Sequence, residues 1–140
     1  MGFFNKREGS TQAQGISAWI VSGGDDIFSW VAINNASHYP ISKVILSVVN
    51  VQVKASKGTE APHEFRSYLS IAPPGICYTR IQIHRGMSFL AGIEIAFIDK
   101  DGQSWVRDGS GILVKIAKPT YVYYGIPLPI SWEFPRGEME

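Results

Sequence analysis

One cysteine stands in the 140 residues, neither charge is in real excess, and no helical stripe of apolar residues is present. Each shortage excludes something. Cys77 has no partner in the chain, so it forms neither an intrachain disulfide nor a CxxC metal or redox motif. Flanked by Ile76 and Tyr78, it reads as a small buried residue; a reactive thiol would need a nearby cation to lower its pKa. Thirteen Lys and Arg against 12 Asp and Glu leave a net charge of +1. The basic residues Lys54, Lys57, Arg66, Arg80 and Arg85 are scattered, so the clustered cationic surface that neutralises phosphates is missing and nucleic acid is not an expected partner. No run approaches the roughly 18–20 apolar residues of a membrane helix, so no span is expected in this chain, and peripheral membrane contact is the weaker alternative.

The chemistry of enzymes is equally thin. His38, His63 and His84 are too far apart in sequence for a local zinc pattern. Asp99, Asp101 and Asp108 do not make a calcium loop, because the twelfth position from Asp99 is Ser110 rather than a bidentate acid. There is no GxSxG elbow, and Gly109-Ser110-Gly111 reads as a hairpin turn rather than a phosphate cradle. No cofactor, metal or catalytic residue is expected. Met1 to Ser10 lacks the apolar core of a secretory signal, and Lys6 stands where acylation at Met1-Gly2 would want Ser or Thr. A cytoplasmic location is expected.

What is present is a core. The hydrophobic content of 45% with 18% charged residues suits a soluble folded domain, and 140 residues make one of them. Apolar runs alternate with turn signals every 8–15 residues. Gly15–Val21, Ile27–Asn34, Lys43–Val53, Tyr68–Ala72, Ile76–His84, Leu90–Asp99, Ser104–Asp108 and Ile112–Ile116 each read as a short strand. Val44, Leu46 and Val48 share one face of the longest run, while Ile45, Ser47, Val49, Val51 and Val53 share the other. Cys77, Thr79 and Ile81 alternate with Tyr78, Arg80 and Gln82. The pattern predicts an all-β, antiparallel immunoglobulin-like β-sandwich of about seven to eight strands over residues 15–118, preceded by a flexible tail over 1–14.

Residues 119–140 differ. Pro119–Pro135 is too rich in proline for a central strand and too aromatic for a solvated tail. It reads as a strap packed over an edge or seam of the sandwich, or as a docking segment with Tyr123, Tyr124 and Trp132 as its partner-binding anchors.

Two stretches carry a resemblance. One runs through Gln12–Val21 and then Val31–Val44 and contains Asn35-Ala36-Ser37-His38-Tyr39-Pro40-Ile41; the other runs from Ile93 to Leu113 and contains Phe97, Asp99, Gly102, Trp105, Arg107 and Gly111. Together they resemble a group of uncharacterised actinobacterial proteins with an xNxSxxPV turn and an FxDxxGxxWxR hairpin. That resemblance implies a sandwich domain and supplies no catalytic residues. Independently, Asp101-Gly102 suits a tight hairpin turn, and Phe97 and Trp105 suit a cross-strand aromatic pair. Trp105 and Arg107 share a strand face, so the guanidinium is expected near the indole or paired with Asp99 or Asp108.

Two functions follow. The first is a non-catalytic interaction module that presents loops or the aromatic C-terminal segment to a protein partner. The second is a sandwich that binds carbohydrate or another small ligand on exposed tryptophan and tyrosine, with Trp105 and Arg107 as a ligand platform. Exposure of the four tryptophans separates them: three on one open face favour sugar, whereas burial of all but Trp132 favours protein.

Overall fold

β-Branched and aromatic residues crowd the stretches between turn signals, and they pair as eight antiparallel strands: β1 (Ile16–Val21), β2 (Phe28–Asn35), β3 (Ile41–Asn50), β4 (Arg66–Ala72), β5 (Gly75–Gln82), β6 (Ala91–Ile98), β7 (Ser104–Arg107) and β8 (Leu113–Ile116). The computed structural model describes residues 11–21, 27–51, 57–83 and 91–139. The N-terminal ten residues, the loop at 22–26, Val53, Lys54, His84 and the Arg85-Gly86 turn lie outside the described residues. One sheet has the order β1-β2-β5 and the other β4-β3-β6-β7-β8, packed face to face as a β-sandwich.

Every expected strand is present, with shifted ends. β3 starts at Ile41 rather than Lys43, because pairing with Ala72 and Ile98 continues through a register shift between Ser42 and Ile45. Lys43 sits in that irregularity with φ +49°. Of the stretch 1–14 expected as a flexible tail, only residues 11–14 are described, and they form one helical turn with Gln12 and Ala13 buried.

The period-2 faces sort as their sequence implies. Val31 and Ile33 of β2, Cys77 and Ile81 of β5, Val44 and Leu46 of β3, and Ile95 and Phe97 of β6 meet between the sheets. Each such side chain contributes about 1.5–3 kcal/mol on burial. The hydroxyls of Ser67 and Thr79 bond to each other at 3.0 Å inside the sandwich, linking β4 of one sheet to β5 of the other. Burial pushes the Cys77 thiol up to about 11. Its folded pKa lies above its unfolded one, so its contribution to stability is whole below the unfolded value and is lost as pH rises through about 11. Cys77 is expected to resist iodoacetamide at pH 8 in the native protein and to react at once in denaturant; equal rates would mean that β5 opens readily.

The outer face of the five-stranded sheet is apolar too, which is why the β3 run is unbroken. Ile45, Tyr68, Ala96 and Val106 form a second cluster there, covered by the C-terminal strap. The strap begins with a helical turn, Thr120–Tyr123, anchored where the Thr120 hydroxyl donates to the Lys43 carbonyl at 2.7 Å. Trp132 lies edge-on to Tyr68 and Tyr121, with the Lys43 ammonium 5.0 Å from its ring centre. Farther on, Glu133 pairs with β4 in parallel through Tyr68 and Ser70, at 2.8 and 2.9 Å. Arg136 then exchanges two 2.7 Å bonds with Tyr78 of β5. The strap therefore covers one sheet face and stitches the edges of both sheets on that side.

Candidate functional site

Because β3 runs antiparallel to β6, the start of β3 lies beside the end of β6, with Ser42 opposite Ile98. This brings the β2–β3 turn and the β6–β7 hairpin to one end of the sandwich. Buried side chains hold them. Asn35, only 1% exposed, donates to the Tyr39 carbonyl at 2.8 Å and to the Ala72 carbonyl at 3.2 Å. Its Oδ1 accepts from the Ser37 amide and hydroxyl, an Asx turn. Asp99, also buried, accepts at Oδ1 from the Asp101 and Gln103 amides and at Oδ2 from the Trp105 indole at 2.8 Å. Gln12 joins the two loops: Nε2 donates to the Ser37 hydroxyl and the Tyr39 carbonyl, while Oε1 accepts from the Lys100 amide at 2.8 Å. Gly102, at φ +81°, closes the hairpin.

Above this framework the tips are open. Tyr39 is 53% exposed, His38 is exposed beside it, and the Lys100 ammonium stands 5.3 Å from the Tyr39 ring centre. Lys100 also pairs with Asp101 at 3.3 Å. Gln12 opens the first stretch of the resemblance, but no local pattern gives its role, because its partners lie 25 to 88 positions away.

Trp105 and Arg107 are used inside the fold. Trp105 is half-buried and lies opposite Phe97, as the hairpin pattern implies. Arg107 neither stacks on the indole nor pairs with Asp99 or Asp108. Its Nε donates to the Ile16 carbonyl at 2.7 Å, Nη1 to Gly111 at 2.8 Å and Nη2 to Gln14 at 3.1 Å. The carboxylates are occupied elsewhere: Asp99 by the hairpin and indole, and Asp108 by the amides of Ser110 and Ile112. The guanidinium pins residues 13–16 to β7, and the supposed ligand platform is a structural rivet.

The strap trio also faces the protein. Tyr124 is 7% exposed and donates its hydroxyl to Glu94 at 2.6 Å, with the Arg66 guanidinium 5.0 Å from its ring centre. Burial, then Glu94, push its pKa upward; burial and Glu94 raise Tyr123 too. A Cβ at Gly58 would run into the Glu94 carboxylate, which shows how closely this polar cluster is capped. Tyr123 and Trp132 are half-buried, so the strap's outward apolar side chains are instead Val122, Leu128 and Phe134.

No face collects three tryptophans, nor is Trp132 the only one uncovered. Trp19, 43% exposed, and the buried Trp30 sit on the three-stranded sheet, while Trp105 and Trp132 are half-buried elsewhere. A cleft of about 550 Å³ opens at the seam between strap and sheets, where His63, Arg66, Tyr68, Arg80, Pro129 and Glu133 converge. Its rings are already engaged: Tyr68 stacks on His63 with its hydroxyl 2.8 Å from Nδ1, and Arg80 lies 4.7 Å from the centre of Phe28. Among the described residues no group of three or more His, Cys, Asp or Glu could hold a metal, and no helix is long and apolar enough to cross a membrane. The chain matches no protein-family model, no curated protein and no solved structure.

Proposed function

We propose that this domain is a non-catalytic interaction module that engages a protein partner through the paired loops around Tyr39 and Lys100. One observation carries the reading: an exposed tyrosine stands on a turn whose backbone is held by buried Asn35 and Gln12. A tyrosine ring offers contact area at small entropic cost, and fixing its turn in advance removes more of that cost. The strand order supports an immunoglobulin-like topology, since the β2–β3 and β4–β5 connections both pass from one sheet to the other, as in Greek-key sandwiches. The proposed kinship with the actinobacterial group fits this role: Asn35, Ser37, Asp99, Gly102, Trp105 and Arg107, the residues of its two patterns, form the framework beneath the tips. A cytoplasmic setting is supported by the single buried thiol.

Replacing Tyr39 by a photo-crosslinking phenylalanine analogue tests the reading. Irradiation in native extract is expected to yield one discrete adduct that the same analogue at Val122 does not give. No adduct, or the same adduct from both positions, would sink it.

A further inference from the structure

The geometry points to the free edge of β8 as a strand-addition site for an extended, acidic segment of a protein partner. The Asp108 amide donates to the Ile112 carbonyl, which fixes the alternation of the β7–β8 ladder, with Val114 opposite Val106 and Ile116 opposite Ser104. Residues 112, 114 and 116 therefore direct their backbone groups to β7, and the N–H and C=O of Leu113 and Lys115 point away from it. β8 ends the five-stranded sheet, and among the described residues no strand or bridge pairs with that side.

The other edges are occupied in part. The strap closes β4 through Glu133 and β5 through Arg136, and Arg107 occupies the Ile16 carbonyl at the start of β1. The molecule thus already adds chain to two of its sheet edges, β4 and β5, in cis. At β8 the side chains supply the rest of a peptide site. Ile112 and Val114 are 60% and 48% exposed, an apolar contact strip along the strand. Beside the strand lies a cleft of about 500 Å³ whose lining includes Lys115, Lys118, Gln103 and Ser104 and no carboxylate. Main-chain pairing supplies affinity in this mode, and side-chain pockets supply selectivity.

The charges decide the occupant. Antiparallel pairing of two β8 strands from two copies of this chain would set Lys115 near its own counterpart, which is unfavourable. The same lysines that deter self-pairing favour a strand carrying Glu or Asp. This site is separate from the loop-tip proposal, because His38 and Tyr39 do not line the cleft.

The probe is a capped hexapeptide, EVEVEV, titrated into isotope-labelled protein, with KVKVKV as control. Amide shifts centred on Leu113 and Lys115, reaching Gln103 and Lys118, are expected with EVEVEV alone. Lys115→Pro removes one outward amide yet leaves the β7 bonds, as proline is tolerated on an edge. It is expected to weaken binding about tenfold or more, the loss of a main-chain bond and a charge contact. The double variant Lys115→Glu with Lys118→Glu keeps every amide and is expected to exchange the preference, binding KVKVKV instead; it carries the test if the proline variant unfolds. No shift at millimolar peptide, equal shifts with both peptides, or shifts centred on β1 would overturn the proposal. None of these outcomes bears on crosslinking at Tyr39.

Discussion

Ending the chain after Lys118 is expected to leave a sandwich that precipitates on concentration and melts well below the intact protein. The loss has three parts. Tyr124 and its neighbours uncover Ile45, Tyr68, Ala96 and Val106 on the outer sheet face. Glu94, 4% exposed in the intact chain, loses the hydroxyl that bonds it. Glu133 and Arg136 release the edges of β4 and β5, which then offer unpaired backbone to other molecules. Removing a buried aromatic side chain alone costs about 3–5 kcal/mol, a large share of the roughly 5–15 kcal/mol that holds a domain. Tyr124→Phe isolates the polar part: it keeps the ring and removes one bond to a carboxylate, a cost of about 1.5–3 kcal/mol. Thermal melts with light scattering on the three proteins decide the matter. A truncated chain as soluble and as stable as the full one would show that the strap contributes nothing.

Trp105→Ala is expected to cost about 3 kcal/mol, the lower end of the range for a large aromatic, because the side chain is half-buried. Part of the loss is packing against Phe97 and the central core. The rest is the indole bond to Asp99, a buried carboxylate that also holds the Asp101 and Gln103 amides. Trp105→Phe restores most of the packing and none of the bond, so the difference between the two variants measures the bond. Urea unfolding gives both numbers. A midpoint for the alanine variant within error of the parent would place Trp105 outside the stabilising core. The same hairpin carries Lys100 at its tip, so the alanine variant is also expected to lower the yield of the Tyr39 adduct.

Strand count, strand faces and the hairpin turn are legible in the amino-acid sequence, and for one reason. Each depends on residues close along the chain: alternation places Cys77, Thr79 and Ile81 on one side of a ribbon, and Asp101-Gly102 reverses it. Alternation says which side of a strand is apolar; it does not say what covers that side. Val44 and Ile45 look alike in the sequence, yet one faces the sandwich interior and the other faces the strap. The roles of the polar residues are hidden for the same reason. Gln12 meets Lys100 across 88 positions, Arg107 meets Ile16 across 91, and Tyr124 meets Glu94 across 30. Such meetings are set by the order of strands in the two sheets, which determines the edges that remain open and the carboxylates and guanidinium groups already engaged. The sequence alone therefore determined an antiparallel β-sandwich with a docked or docking strap. The tertiary structure decided that Trp105, Arg107 and Tyr124 hold the fold together, and that Tyr39 and the edge of β8 face outward, because exposure and edge pairing belong to the assembled sheets rather than to any local run of residues.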